Sequence, residues 1–137
     1  MEITVTIDQT NQPIAIMQLN GDIDASNFME VVNKAQELYD NPARNLIIDL
    51  SEVSSVSTTG LVALHKIALV YSGVPQQVEA DKDEIRPDFT HSSNARKFVK
   101  LLNPQPEVDE ALQKAGLKLF FKVYKDLESA LQSFQVK

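Results

Sequence analysis

The chain has 137 residues, enough to enclose one hydrophobic core and too few for two ordinary domains. Hydrophobic residues make up 43% and charged residues 23%, which is the balance of a folded globular protein and excludes a disordered or fibrous one. A net charge of -6 argues against nucleic acid or an anionic membrane as partner, and the absence of cysteine removes disulfides, thiolate nucleophiles and thiolate metal ligands, as suits a cytoplasmic protein.

The opening Met1-Glu2-Ile3-Thr4-Val5 has no basic stretch leading into an apolar run. No apolar run approaches the ~20 residues of a membrane span, so neither secretion nor membrane insertion is expected. Ile3, Val5 and Ile7 alternate with Thr4 and Thr6, and a second apolar segment from Pro13 to Leu19 follows the polar Gln9-Thr10-Asn11-Gln12. This pattern predicts a two-stranded hairpin. Gly21-Asp22-Ile23-Asp24-Ala25-Ser26-Asn27 then breaks the strand. Phe28, Val31, Val32, Ala35, Leu38 and Tyr39 fall at helical spacing, with Asp24 or Ser26 as the expected cap.

Leu46-Ile47-Ile48-Asp49-Leu50 is a short, nearly unbroken apolar run, the pattern of a central parallel strand covered on both faces. A turn rich in serine and threonine follows it. Leu61 to Tyr71 reads as a second helix, Lys97 to Leu102 as a strand, and Val108, Ala111, Leu112 and Ala115 as the face of a third helix. Leu119 to Tyr124 reads as the last strand, and Leu127, Ala130, Leu131 and Phe134 as a fourth helix. The expected architecture is an α/β sandwich: a mixed five-stranded sheet flanked by four helices. Residues Val74 to Arg96 are polar, contain two prolines and interrupt this order, so they read as an insertion at about 74–96 in a single domain spanning 1–137.

The turn Val56-Ser57-Thr58-Thr59-Gly60-Leu61 stands at the carboxyl end of the sheet, where open α/β folds place their sites. A phosphoryl group on Thr58 or Thr59 would add about -1.5 to -2 charges beside a helix amino end, which tolerates anions. Beside that reading stands a plainer one, in which Ser57, Thr58 and Thr59 only cap the helix. Gly60 is ~1 kcal/mol worse than alanine inside a helix, so its presence suggests a close approach to the backbone, a kinase or partner being one candidate.

The second helix is apolar over more than one stripe, through Leu61, Val62, Leu64, Ile67, Ala68, Leu69, Val70 and Tyr71. That breadth fits either a partner surface or a helix wedged between sheet and neighbouring helix. Asp22 and Asp24 present the same choice between partner contact and turn or cap. His65 and His91, the two histidines, are assigned to the surface, because neither has a companion at metal-ligand spacing. Asp81-Lys82-Asp83-Glu84 lacks the pattern of a calcium loop, and no glycine-rich phosphate loop is present. Neither a metal nor a cofactor is expected, and no nucleophile and base pair points to an enzyme.

Taken in order, Gly21-Asp22-Ile23-Asp24-Ala25-Ser26-Asn27, Asn45-Leu46-Ile47-Ile48-Asp49-Leu50-Ser51-Glu52-Val53, Ser57-Thr58-Thr59-Gly60-Leu61 and Asn103-Pro104-Gln105-Pro106-Glu107-Val108 closely resemble the STAS family of sulfate transporter and anti-sigma factor antagonist domains. The resemblance implies a STAS-like (SpoIIAA-like) sandwich. In the family's anti-sigma antagonists, a serine or threonine two positions ahead of a glycine is phosphorylated by a kinase that is also the anti-sigma factor. Thr58 holds that position here, with Ser57 as the alternative acceptor. Family members of this type usually carry aspartate before the acceptor, where this chain has Ser57.

By the same resemblance the unphosphorylated domain binds a bacterial anti-sigma factor with serine/threonine kinase activity, freeing its sigma factor, and phosphate breaks the complex. A phosphatase is the further implied partner. Asp22, Asp24, Ser57, Thr58, Thr59, Gly60 and Leu61 are the expected partner-binding residues. The alternative within the family is a transporter-associated module, or one that binds a nucleotide or lipid.

Overall fold

The computed structural model describes residues 2–8, 14–40, 45–71, 98–119 and 121–134. The hairpin is formed by β1 (Glu2–Asp8) and β2 (Ile14–Asn20), antiparallel in a register running from Glu2 opposite Asn20 to Asp8 opposite Ile14. Helix α1 (Phe28–Asp40) leads into β3 (Asn45–Glu52), and α2 (Thr58–Tyr71) follows it. Then come β4 (Val99–Leu102), α3 (Pro106–Lys114), a 3-10 turn at Leu117–Leu119, β5 (Lys122–Tyr124) and α4 (Leu127–Gln132). The strands lie in the order β1-β2-β3-β4-β5, with β2 through β5 parallel, so the sheet is mixed and β3 is its centre. The expected α/β sandwich of five strands and four helices is what the described residues form.

Alternation along the strands separates two apolar layers. Ala15, Met17 and Leu19 of β2, Leu46, Ile48 and Leu50 of β3, and Val99 and Leu101 of β4 point into the larger one. There they meet Val31, Ala35 and Leu38 of α1, Leu64, Ile67, Ala68 and Tyr71 of α2, and Val108 and Leu112 of α3. Ile14, Ile47 and Leu102 face the other way, onto Ala130 and Phe134 of the α4 segment. Leu46 through Ile48 are completely buried, as expected of a strand covered on both faces. Helices α1 and α2 are further joined by the Tyr71 hydroxyl, which donates to the Ala35 carbonyl at 3.2 Å, and by an edge-to-face contact of Tyr39 and Tyr71.

Three boundaries differ from expectation, each for a local reason. The fourth strand begins at Val99, because Phe98 still has helical geometry; Lys97 lies outside the described residues. The last strand begins at Lys122 and not at Leu119. Gly116, at φ 76°, ends α3 in the left-handed region, the chain tightens into the 3-10 turn, and the Phe121 N–H donates back to Leu117 O at 3.2 Å. The second helix starts three residues early, at Thr58, because Ser57 caps it. The expected insertion at 74–96, which contains His91, lies outside the described residues. No described helix is long and apolar enough to cross a membrane.

Candidate functional site

The residues singled out by sequence meet where two loops leave the carboxyl ends of β2 and β3. Gly21 N–H donates to Glu52 O at 3.2 Å, Ile23 N–H to Ser55 O at 3.2 Å, and Ser57 N–H to Ile23 O at 2.9 Å. Together these bonds extend the parallel pairing past the strands, as a bridge between Ile23 and Val56. The Asp22 carboxylate reaches across and accepts from Ser55 N–H at 3.1 Å. Asp22 is thus bound to the second loop as an acceptor, the turn role that aspartate suits in such positions.

Asp24 caps the first loop. Its carbonyl accepts from Phe28 N–H at 2.9 Å, the first helical hydrogen bond before α1, and its carboxylate accepts from the Ser26 N–H at 2.9 Å. The Ser26 hydroxyl donates to the same oxygen. These bonds from Ser26, the hydroxyl's first, hold the Asp24 carboxyl below its ordinary range. Neither expected cap stands at the helix boundary: α1 starts at Phe28, and the Asp24 and Ser26 pair instead closes the turn that precedes it. Asn27 closes the loop, accepting from Asp24 N–H at 2.9 Å and donating to Asp22 O at 2.8 Å.

On the second loop, Ser57 is the N-cap of α2. Its hydroxyl accepts from Gly60 N–H at 3.1 Å and its carbonyl from Leu61 N–H at 2.9 Å. Thr58 is the first helical residue and is exposed; Thr59 and Leu61 are half-buried, and Gly60 is buried. The close approach expected at Gly60 comes from within the chain: a Cβ there would stand 2.6 Å from Ile23 O and 2.7 Å from Val56 Cγ1. Glycine is therefore required for loop packing, with Ile23 fully buried beneath it.

Helix α2 is closer to the wedged helix than to an open apolar surface. Ala63, Leu64, Ile67, Ala68, Val70 and Tyr71 are buried, and Leu61, Val62 and Leu69 are half-covered. His65, assigned to the surface from its lack of ligand companions, is buried at 6% exposure, because the helix is covered on nearly all sides. Burial, and then the charge of Lys66, push its imidazole below the ordinary value of 6.5.

Sequence reasoning missed the contributions of Ile23, Ser55 and Gln105. Ile23 is the one apolar residue among Gly21, Asp22 and Asp24, and an isolated apolar residue in a polar loop is a sign of burial. Gln105, before α3, donates from Nε2 to Ser51 O at 2.9 Å and ties the end of β4 to the end of β3. Asn103 turns the chain there at φ 51° and donates from its N–H to Tyr124 O at 2.7 Å. The result is a braced platform from which the Thr58 side chain projects at the amino end of α2.

Comparison with known proteins agrees with this architecture. The STAS domain family model matches residues 6–72, which include both loops and α2, so the resemblance drawn from the sequence is borne out. No curated protein matches the sequence. Among solved structures, the Thermotoga maritima protein TM1081 is similar with 16% identity and a TM-score of 0.71, over 96% of this chain and 93% of that one. An anti-sigma factor antagonist from Mycobacterium paratuberculosis is similar with 18% identity and a TM-score of 0.66, over 97% and 94%. The anti-sigma factor antagonist SpoIIAA in its unphosphorylated form is similar with 16% identity and a TM-score of 0.61, over 94% of each chain. At these identities the likeness establishes a SpoIIAA-like fold.

Proposed function

We propose that the chain is an anti-sigma factor antagonist, a cytoplasmic bacterial binding module of one domain switched by phosphorylation of Thr58. The observation that carries this reading is the exposure of Thr58 on a platform whose other members are committed. Ser57 holds the helix cap, Asp22 holds Ser55, and Gly60 holds Ile23. A kinase active site needs an accessible hydroxyl, and Thr58 presents one without any hydrogen bond of the platform being broken.

In the transfer step the Thr58 Oγ1 attacks the γ-phosphorus of ATP, the hydroxyl proton passes to a base of the kinase, and ADP leaves. The chain supplies only the acceptor and its orientation. The product places a dianion beside the N–H groups at the start of α2, where the helix dipole stabilises it, so the fold persists. A docked partner, by contrast, meets a new charge that must lose its water, at a cost of about 2–5 kcal/mol if unpaired. Binding and phosphate therefore exclude one another while the domain stays folded.

The reading is tested by incubating the full chain with the host's anti-sigma kinase, magnesium and ATP, and mapping the phosphate by mass spectrometry. Stoichiometric phosphate on Thr58, absent from Thr58→Ala, is expected. Phosphate confined to Ser57, or none at all, contradicts the proposal.

A further inference from the structure

Asn27 stands directly before α1, and its carbonyl accepts from Glu30 N–H at 3.0 Å and from Val31 N–H at 3.4 Å, so it holds the N-cap position of that helix. A polar side chain in this position ordinarily turns forward, onto an N–H of the first helical turn. That of Asn27 turns back into the loop: Oδ1 accepts from Asp24 N–H at 2.9 Å and Nδ2 donates to Asp22 O at 2.8 Å. The two partners fix which way the amide faces, since turning it over would set Nδ2 against an N–H and Oδ1 against a carbonyl.

The carbonyl of Asp22 and the N–H of Ile23 belong to one planar peptide unit. Asn27 grips the oxygen of that unit, and its N–H donates to Ser55 O at 3.2 Å, so the Asn27 amide orients the group that captures the second loop. Ser55 is held at its other backbone group as well, its N–H donating to the Asp22 carboxylate at 3.1 Å. Ile23 O then accepts from Ser57 N–H at 2.9 Å, and Ser57 caps α2. A continuous run of hydrogen bonds therefore joins the N-cap of α1 to the N-cap of α2, one residue from Thr58, and each bond in such a run polarises the next.

We propose that Asn27 is a positioning residue for phosphorylation: through the Asp22–Ile23 peptide it sets the second loop, and with it the direction in which α2 presents the Thr58 hydroxyl. The inference rests on the reading of Thr58 as the acceptor.

The test compares wild type with Asn27→Asp and Ala25→Asp. Aspartate at position 27 keeps an acceptor for Asp24 N–H and a good cap for α1, but it replaces the donor with an oxygen that repels Asp22 O. Ala25→Asp adds the same charge at an exposed neighbouring position. With the host's anti-sigma kinase, magnesium and ATP, Asn27→Asp is expected to lower kcat for Thr58 about tenfold while KM stays within about twofold, because a misdirected acceptor leaves the reactive geometry without leaving the docked complex. Ala25→Asp keeps the wild-type kcat. In the isotopically labelled full chains, the amide resonances of Ser55, Ser57 and Thr58 are expected to move in Asn27→Asp, while those of α1 from Val31 onward stay in place. Unchanged kcat in Asn27→Asp, an equal loss in Ala25→Asp, or unmoved resonances from Ser55 to Thr58 overturn the proposal. A wild type that the kinase does not phosphorylate overturns the reading of Thr58 instead, and the resonances, which need no kinase, still decide whether Asn27 sets the second loop.

Discussion

Gly60 lies directly against the carbonyl of Ile23, so near that the first carbon of any side chain at position 60 would stand 2.6 Å from that oxygen. The contact sets the distance between the two loops and thereby the direction in which α2 presents Thr58. Replacing glycine by alanine inside a helix ordinarily gains ~1 kcal/mol. Here the sign reverses: Gly60→Ala forces Ile23 or Val56 to move, and the expected result is a loss of about 1–3 kcal/mol in urea unfolding. A variant as stable as the wild type would show that the loops part without cost.

Ser57 holds the amino end of α2 through Gly60 N–H. Ser57→Ala is expected to destabilise the chain by ~1 kcal/mol, and Ser57→Asp to keep or raise stability, since aspartate caps as well as serine and adds charge at the favourable end of the dipole. Thermal unfolding of the three proteins distinguishes the outcomes. Equal midpoints for Ser57→Ala and wild type would remove the capping role. The same geometry accounts for the departure from the aspartate usual at this position: serine and aspartate serve one cap.

His65 makes stability depend on pH. Its imidazole is held below 6.5 by burial and by the neighbouring Lys66, so the folded chain keeps it neutral where the unfolded chain binds a proton. The unfolded state therefore gains as pH falls below 6.5. Stability from this group is complete above that value, declines on acidification, and stops declining once the folded state also takes the proton. Urea unfolding between about pH 8 and pH 5 is expected to show a steeper decline for wild type than for His65→Leu. Parallel profiles would mean that His65 titrates alike in both states.

The regular parts of the fold were legible because their patterns are local. Strand β3 shows itself as an apolar run, and α1 by its spacing at Val31, Ala35 and Leu38. The first hairpin strand shows itself by alternation in Ile3, Val5 and Ile7, whereas its register against β2 came from the structure. What stayed hidden depends on pairs distant in sequence. Nothing near Gly60 announces that Ile23, a residue of another loop, is what approaches it, and nothing near Asp22 points to Ser55 N–H. His65 misled for a related reason: on a helix covered from nearly all sides, a polar residue is buried by its neighbours and not by its own preference. Thr58 is a candidate through the order of motifs alone, and its exposure needed coordinates.

The most direct measurement compares binding of the host's anti-sigma factor to wild type, Thr58→Ala and Thr58→Asp by calorimetry, with circular dichroism confirming that all three are folded. Removing the hydroxyl leaves docking nearly unchanged, whereas a fixed negative charge at the start of α2 is expected to weaken it by about 2 kcal/mol or more, roughly thirtyfold. Wild-type affinity in a folded Thr58→Asp protein would contradict the account.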